Sequence, residues 1–391
     1  MKMPAFNELD REQLKIYQGA PPDGSVLVTG PPGTGKTIMA FHRARMLREL
    51  EREPRIIMYN TVLRSFTSAG HDAGEGVTVS TMHSWVSGWF REMRAGTAPA
   101  PRPFEIDWEA VHSKVLTVMN GQDPGPAHWG HLIVDEGQDF ARDMYYCLAM
   151  LVGAREWPTH GPALTVFADE NQRLNEVQNS CIADIRQAMR LIDDGRVFSL
   201  TTNYRNTRQI AEFASHFYCG LSTGRPDLPK SKGPVPIVHF VAGPKEMADR
   251  IAAFVRDSPP MEVGVLCSRE KDRKRMFKLI SKALKEEGDV IIQTFKSNDE
   301  EFGDARNLVF DEPGHVTVLN YQSAKGLEFD AVFVVDPLLR NPAAGTGKQQ
   351  FMMNMYVMCS RARTHLRLLF ETARDEVLPH LPPAHLYKES K

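Results

Sequence analysis

The sequence predicts an α/β protein made of two largely parallel sheets in tandem, each flanked by helices. Three observations carry this. Residues 25–37 run from a short apolar strand through a glycine-rich turn into a helical segment. Apolar runs of strand length alternate with helical spacings on both sides of residue 200. The strands of the first half end in polar residues, the pattern of open α/β sheets whose ligands sit at the carboxyl edge. The expected domains are residues 1–200 and residues 201–391, with a short excursion at about 86–130 inside the first.

Gly30, Gly35, Lys36 and Thr37 fill the pattern G-x-x-x-x-G-K-[ST] between that strand and helix. Such glycines let backbone N–H groups turn inward around phosphates, and the following helix presents its positive end to them. Lys36 then reaches the outer phosphates and Thr37 ligates magnesium. The expected contacts are Gly30, Pro31, Pro32, Gly33, Thr34, Gly35, Lys36 and Thr37, with ATP or GTP and Mg2+ as ligands.

Composition narrows the rest. The chain has 391 residues, 42% of them hydrophobic, enough for a large core. Its formal net charge is −2, with 47 basic against 49 acidic residues, so nucleic-acid binding would need a local basic groove. The five cysteines, Cys147, Cys181, Cys219, Cys267 and Cys359, are scattered and lack C-x-x-C spacing, which fits reduced packing thiols rather than disulfides or a structural metal. No signal-peptide pattern and no membrane-length apolar run is present. A cytoplasmic protein is expected.

Along the chain, residues 9–17 read as a short helix carrying Gln13, a candidate adenine reader, since an amide donates and accepts at once. After the P-loop, residues 38–51 have helical spacing and residues 55–60 read as a buried strand. A third strand at 77–80 ends at Thr81, His83 and Trp85, which are either ligand-facing groups or a buried core cluster. Residues 97–126 form a proline-rich connection with a helical piece at 108–119. The strand at 131–134 ends in D-E-x-Q-D: Asp135 suits magnesium and Glu136 suits a general base for water. Residues 164–168 precede Asp169, Glu170 and Gln172; Gln172 is a candidate sensor of the terminal phosphate, the carboxylates equally turn residues.

The second half has strands expected at 236–241, 263–267, 290–295, 316–320, 331–336 and 366–371. Residues 345–348 read as a loop. The helical stretch 269–287 carries eight cations and is either a solvated face or the wall of a phosphate-tracking groove. Arg205, just before a helix, and Arg361, placed on the last long helix, are candidate arginine fingers, because a planar guanidinium from another domain stabilises charge on a transferring phosphoryl group.

Taken in order, these stretches resemble the motifs of superfamily 1 helicases of the UvrD/Rep type. Gln13 resembles the Q motif, residues 30–37 motif I, 59–66 motif Ia, 81–84 motif Ib and 135–139 motif II. Residues 168–172 resemble motif III, 203–206 motif IV, 320–330 motif V and 356–363 motif VI. The resemblance implies two RecA-like P-loop NTPase domains in tandem, with ATP in the cleft between them and single-stranded nucleic acid across the top. It implies nucleotide contacts by Gln13, Tyr204, Gly326 and Glu328, and γ-phosphate contacts by Gln172, Arg205 and Arg361. Strand contacts are implied for Tyr59, Asn60, Phe66, Thr81, His83, Trp85, Asn320 and Gln322.

The chain departs from the family pattern in three places. Segments 84–131 and 285–316 are too short for large accessory domains. Motif III lacks the aromatics that stack on bases, a contact of about 1–3 kcal/mol each. Asn320 and Gln322 stand where threonine and histidine are frequent. The expected activity is an ATP-dependent translocase or helicase moving 3′ to 5′ on single-stranded DNA. The alternatives are an ATP-dependent switch docking on a nuclease or other effector in a repair or phage-defence assembly, and a motor acting on RNA.

Overall fold

A computed structural model describes residues 6–59, 77–102, 105–121, 127–152, 160–172, 179–192, 194–296, 299, 301–337 and 346–390. Thirteen strands form two sheets among these residues. The first sheet contains β1 (Ser25–Thr29), β2 (Pro54–Met58), β3 (Thr78–Thr81), β4 (His131–Val134), β5 (Ala163–Ala168) and β6 (Val197–Ser199). Their order is β3-β2-β4-β5-β1-β6, and every pairing is parallel. β1, β4 and β5 are buried at every position, which is why they read as unbroken apolar runs rather than as alternations. β5 lies between β1 and β4, so its end opens between the P-loop and Asp135.

The second sheet contains β7 (Ile237–Phe240), β8 (Val263–Cys267), β9 (Ile291–Thr294), β10 (His315–Asn320), β11 (Phe329–Val335), β12 (Ala362–Phe370) and β13 (Lys388–Ser390). Its order is β13-β7-β12-β11-β8-β10-β9, again parallel throughout. Among the described residues the helices are α1 (Arg11–Gly19), α2 (Lys36–Glu49), α3 (Met82–Glu92), α4 (Trp108–Met119), α5 (Arg142–Val152), α6 (Ile182–Ala188), α7 (Arg208–Ser215), α8 (Pro244–Asp257), α9 (Glu270–Ala283), α10 (Thr346–Cys359) and α11 (Arg374–Val377). The two sheets with intervening helices are the tandem RecA-like arrangement.

Successive side chains of β1 serve opposite faces. Val26 and Val28 join a core with Met39, Phe213, Phe217 and Leu319 that is continuous from one sheet to the other. Leu27 joins a second core with Trp85, Trp89, Trp129 and Tyr145. The excursion after β3 is therefore not peripheral: α3 and α4 close the outer face of the first sheet, with Trp85 stacked on Trp89 at 5.1 Å. A third core lies between the second sheet and helices α8 and α9.

Two readings of the last helix need correction. Residues 346–348 open α10 instead of forming a loop, while Gly345 lies outside the described residues. Arg361 is not on that helix; α10 stops at Cys359 and Ala362 already begins β12. Arg361 folds back beneath the helix end, donating from Nε to the Val357 carbonyl at 3.0 Å and from Nη1 to the Leu327 carbonyl at 3.4 Å. Cations are favourable there because the last carbonyls of a helix lack partners within it.

Candidate functional site at the seam between the sheets

The P-loop owes its shape to two glycines with left-handed backbones, Gly33 (φ 82°) and Gly35 (φ 84°). A Cβ on Gly33 would meet the Asn203 side-chain oxygen at 2.5 Å, and one on Gly35 would meet Gln13 Nε2 at 2.8 Å. The loop is thus gripped from both sides, by the helix carrying Gln13 and by the segment leading into the second half. Thr34 turns inward, its hydroxyl donating to the Pro31 carbonyl at 2.9 Å. Lys36 is buried and donates to the carbonyls of Gly30 at 2.6 Å and Pro31 at 3.0 Å. Burial lowers its pKa, opposed by Asp169, Glu136 and Asp135 nearby.

At the end of β4, Thr37 donates its hydroxyl to Asp135 Oδ2 at 2.7 Å. Burial, and then the neighbouring charge of Glu136, push the Asp135 carboxyl up to about 7. Glu136 holds a left-handed backbone (φ 54°), a strained geometry for a non-glycine residue and typical of functional positions. Burial would raise the Glu136 carboxyl, yet Lys325, Lys36 and the Gln138 amide bring it below its usual value. Gln138 donates to Glu136 Oε2 at 2.7 Å while its own oxygen accepts the Asp169 N–H at 2.8 Å.

The second half meets this edge with two cationic segments. Asn203 folds a turn by accepting the N–H groups of Arg205 at 3.0 Å and Asn206 at 3.2 Å, and Tyr204 N–H donates to the Gly33 carbonyl at 2.9 Å. Asn206 donates to the Ser360 carbonyl at 3.1 Å, which ties the Arg205 and Arg361 segments together. Arg205 Nε pairs with Glu328 Oε2 at 2.6 Å, while its Nη1 is buried with no hydrogen-bond partner. Burial, followed by the nearby Arg205 charge, lowers Arg361 to about 9. Glu328, which burial alone would raise, is held at about 2 by Arg205 and Arg363.

These groups converge on one cavity of about 300 Å³. Gln13, Pro32, Gly33, Gly35, Lys36, Thr37 and Glu136 line it from the first half, and Tyr204, Arg205, Gly326, Glu328 and Arg361 from the second. Glu8 and Ile38 also line it. Gly30, Pro31 and Thr34 shape the loop behind, and Asp135 reaches the cavity through Thr37. Gln172 lies in a short 3-10 turn (Glu170–Gln172) at the end of β5, its side chain outside the described part of the structure.

The strand-contact candidates fare differently. Tyr59 is half-exposed at the end of β2, its ring edge-on to Phe140 at 5.7 Å. Thr81 caps α3, accepting the Ser84 N–H at 3.4 Å, and His83 is exposed. Asn320 accepts the Ser323 N–H at 2.8 Å, and Gln322 is exposed. Asn60 and Phe66 lie outside the described residues. Trp85 is a correction: only 4% exposed and stacked within the tryptophan cluster, it cannot offer a face to a base. On a helix that closes a sheet face, its position turns the indole inward.

Sequence reasoning assigned no role to Gln138, Asp139 or Lys325. Lys325 is 2% exposed, bonds Asp139 and lies 3.8 Å from Glu136, so a cation of the second half reaches the D-E-x-Q-D segment of the first. The signal was a lysine within an otherwise apolar stretch, buried at 324–327. Glu12 was also missed; its carboxylate accepts the Thr201 N–H at 2.9 Å and the Thr201 hydroxyl at 2.6 Å, tethering α1 to the junction between the halves.

Fold and site together define a P-loop protein with two RecA-like units and a cavity lined from both. Residues 13–178 match the AAA domain family, and residues 315–369 match the UvrD-like helicase C-terminal domain. With these matches on successive sheets, the chain belongs to the UvrD-like superfamily 1 helicases. Protein R568 of Acanthamoeba polyphaga mimivirus, whose name assigns it as an ATP-dependent DNA helicase, is 22% identical over 225 residues, covering 53% of this chain and 29% of that protein. The chain therefore spans less than a third of that relative. A crystal structure titled as the C-terminal domain of a possible DNA helicase from Lactobacillus plantarum WCFS1 is 20% identical and covers 49% of this chain and 100% of that one, with a TM-score of 0.34. At that score the likeness carries no structural argument.

Proposed function

We propose that this chain hydrolyses ATP in the cleft between its two sheets and uses the cycle to move along single-stranded DNA. The observation that carries the reading is the convergence of Lys36, Thr37 and Glu136 with Arg205 and Arg361 on one cavity, where Arg205 Nη1 is buried without a partner. An anionic γ-phosphate supplies what that nitrogen lacks. The 3′ to 5′ sense and the choice of DNA over RNA rest on family resemblance.

Gln13 and the half-exposed Tyr204 ring hold the adenine, one by its amide and the other by stacking. Lys36 exchanges its loop carbonyls for phosphate oxygens. Thr37 and Asp135 are the ligands for Mg2+: hydroxyl and carboxylate are hard oxygen donors, and the raised Asp135 pKa marks a buried carboxylate that a cation would relieve. Bound there, the ion supplies charge neutralisation to the phosphates. Glu136, kept ionised by Lys325 and Lys36 and aimed by Gln138, accepts the proton of the attacking water. Arg205 and Arg361 stabilise the charge that builds on the transferring phosphoryl group, an effect worth about 10³–10⁵ in rate where such fingers have been removed.

Motion follows from the same contacts. Both guanidiniums belong to the second half, so the triphosphate favours a closed cleft, and loss of the γ-phosphate removes that differential affinity. The strand-facing candidates Tyr59, Thr81, His83, Asn320 and Gln322 stand at or just beyond carboxyl strand ends of both sheets, where such closure changes their separation. Among the described residues no helix is long and apolar enough to cross a membrane.

The test is ATP turnover with no polymer, single-stranded DNA, duplex DNA or RNA across a salt series, with Lys36→Ala as blank. Strong stimulation by single-stranded DNA is expected. Equal rates with every polymer would replace the motor by an ATP-gated switch acting on a protein effector such as a nuclease. Preference for RNA would change the substrate, and hydrolysis surviving in Lys36→Ala would remove the site.

A further inference from the structure

Helix α9 carries a feature that ATP chemistry does not use. Lys271, Lys274, Arg275, Lys278 and Lys282 are all exposed and fall within an arc of about 100° on the helix surface, and exposed Lys285 follows in the next turn. From Lys271 to Lys282 the stripe is about 17 Å long at 1.5 Å per residue. No acidic residue shares the arc. Glu270 and Asp272 lie to either side, engaged with Arg273 and Arg269. Among the described residues, only Lys274 of the six has an acidic neighbour, Asp299 at 3.8 Å.

This arrangement works against the helix itself. The pairs 271/275, 274/278 and 278/282 are like charges at the i,i+4 spacing, which destabilises a helix. Its neighbour α8 shows the ordinary solution, with Glu246 and Arg250 paired at 2.8 Å on the same spacing. In a chain of net charge −2, a cationic stripe relieved at Lys274 alone among the described residues matches an anionic partner. Five charges over about 17 Å approach the density of one DNA strand in a duplex, a phosphate per about 3.4 Å.

Place and chemistry narrow that partner. α9 starts three residues after β8, and Tyr321 N–H, in the turn holding Gln322, donates to the Cys267 carbonyl at the end of β8 at 3.1 Å. The stripe therefore begins beside the candidate strand contacts and runs away from them. It contains no aromatic residue; Phe277 lies outside the arc, against Phe302 at 5.3 Å. Surfaces that hold single strands interleave cations with stacking rings.

We propose that the exposed face of α9 binds the phosphate backbone of duplex DNA lying outside the cleft. The inference rests on the nucleic-acid reading above. Its test is equilibrium binding without nucleotide: a labelled blunt duplex and a single strand of equal length, titrated with wild type and with R275Q/K278Q/K282Q across a salt series. The triple variant should lower the salt slope for duplex by about 2 to 3, or about 0.9 per substitution made singly, and weaken duplex binding at low salt by at least about tenfold. Single-strand binding and polymer-free ATP hydrolysis should stay at wild-type levels, and R275K/K278R/K282R should bind like wild type. Relief of like-charge contacts leaves the melting temperature unchanged or higher. An unchanged duplex slope overturns the proposal, as does equal loss on the single strand or stripe-dependent binding to phosphatidylserine vesicles with no duplex binding. Because no hydrolysis is measured in the titrations, their failure leaves the ATPase reading standing, and an inactive cleft leaves the slope interpretable.

Discussion

Replacing Glu328 by glutamine removes one charge from between two arginines while keeping the side chain's shape. Glu328 and Arg205 are 17% and 11% exposed, so water screens their 2.6 Å contact weakly. Burial alone would raise the Glu328 carboxyl, but Arg205 and Arg363 hold it at about 2 against an ordinary 4.5. That drop corresponds to about 3 kcal/mol of preference for the charged form. In the variant Arg363 keeps Asp311 at 2.8 Å and Asp330 at 3.3 Å, whereas Arg205 loses its Glu328 pair and stays beside Arg361, with no other ion pair among the described residues. Glu328→Gln should lose about 3 kcal/mol of unfolding free energy at neutral pH, the usual scale for breaking a buried pair. The folded-state pKa is depressed, so this stabilisation is complete above the unfolded value near 4.5 and disappears as pH falls through about 2; the gap between wild type and variant should close over that window. Urea unfolding at neutral and acid pH reads the gap, and a double-mutant cycle with Arg205→Gln reads the coupling. A non-hydrolysable ATP analogue should also lose affinity in the variant relative to ADP, because in the proposed reading Arg205 meets the γ-phosphate, which ADP lacks. Superimposable unfolding curves at neutral pH, or a coupling below about 0.5 kcal/mol, would refute the argument.

Glu136→Gln should cut steady-state ATP turnover by about 10²-fold or more while fluorescent ATP binding stays near wild type; retained turnover would remove Glu136 as the base. Trp85→Ala should lower stability by about 3–5 kcal/mol through its cavity, and a variant that melts like wild type but loses strand affinity would return Trp85 to the surface. Gly35→Ala combines a left-handed backbone with a 2.8 Å approach to Gln13, so nucleotide binding measured by calorimetry should collapse; near-normal affinity would contradict the loop geometry. His131 is buried neutral, Nδ1 donating to the Pro22 carbonyl at 3.0 Å and Nε2 accepting from the Thr165 hydroxyl at 2.7 Å. Burial, then Arg43, lowers it to about 3 from 6.5, so its contribution is complete above 6.5 and fades as pH falls towards 3; His131→Gln should flatten unfolding free energy over that window, and an unchanged slope would contradict it.

Much of this protein was legible before folding because the evidence was local. A P-loop is a run of consecutive backbone conformations, so residues 30–37 declare it directly. Strands β1, β4 and β5 are buried on both faces, and their apolar runs advertise that condition. The helix Trp108–Met119 follows from spacing alone, and the structure adds its cap, Asp107, which accepts the Ala110 N–H at 2.9 Å. Where the outcome depended on what lay opposite in space, residue type was ambiguous. Trp85 and Tyr59 are both aromatic near strand ends, and only packing separates the indole in a tryptophan cluster from the phenol at the edge.

The sequence alone determined the class of sheet, the phosphate loop, the paired carboxylates after β4 and the order of arginine-bearing segments, since each is written in neighbouring residues. Tertiary structure decided that Arg361 leaves its helix to tuck under the helix end. It also decided that Glu328 is shared by Arg205 and Arg363, and that Lys325 crosses 186 positions to reach Asp139. Charge interactions and desolvation depend on distance through space and on burial, and the linear order of residues specifies neither.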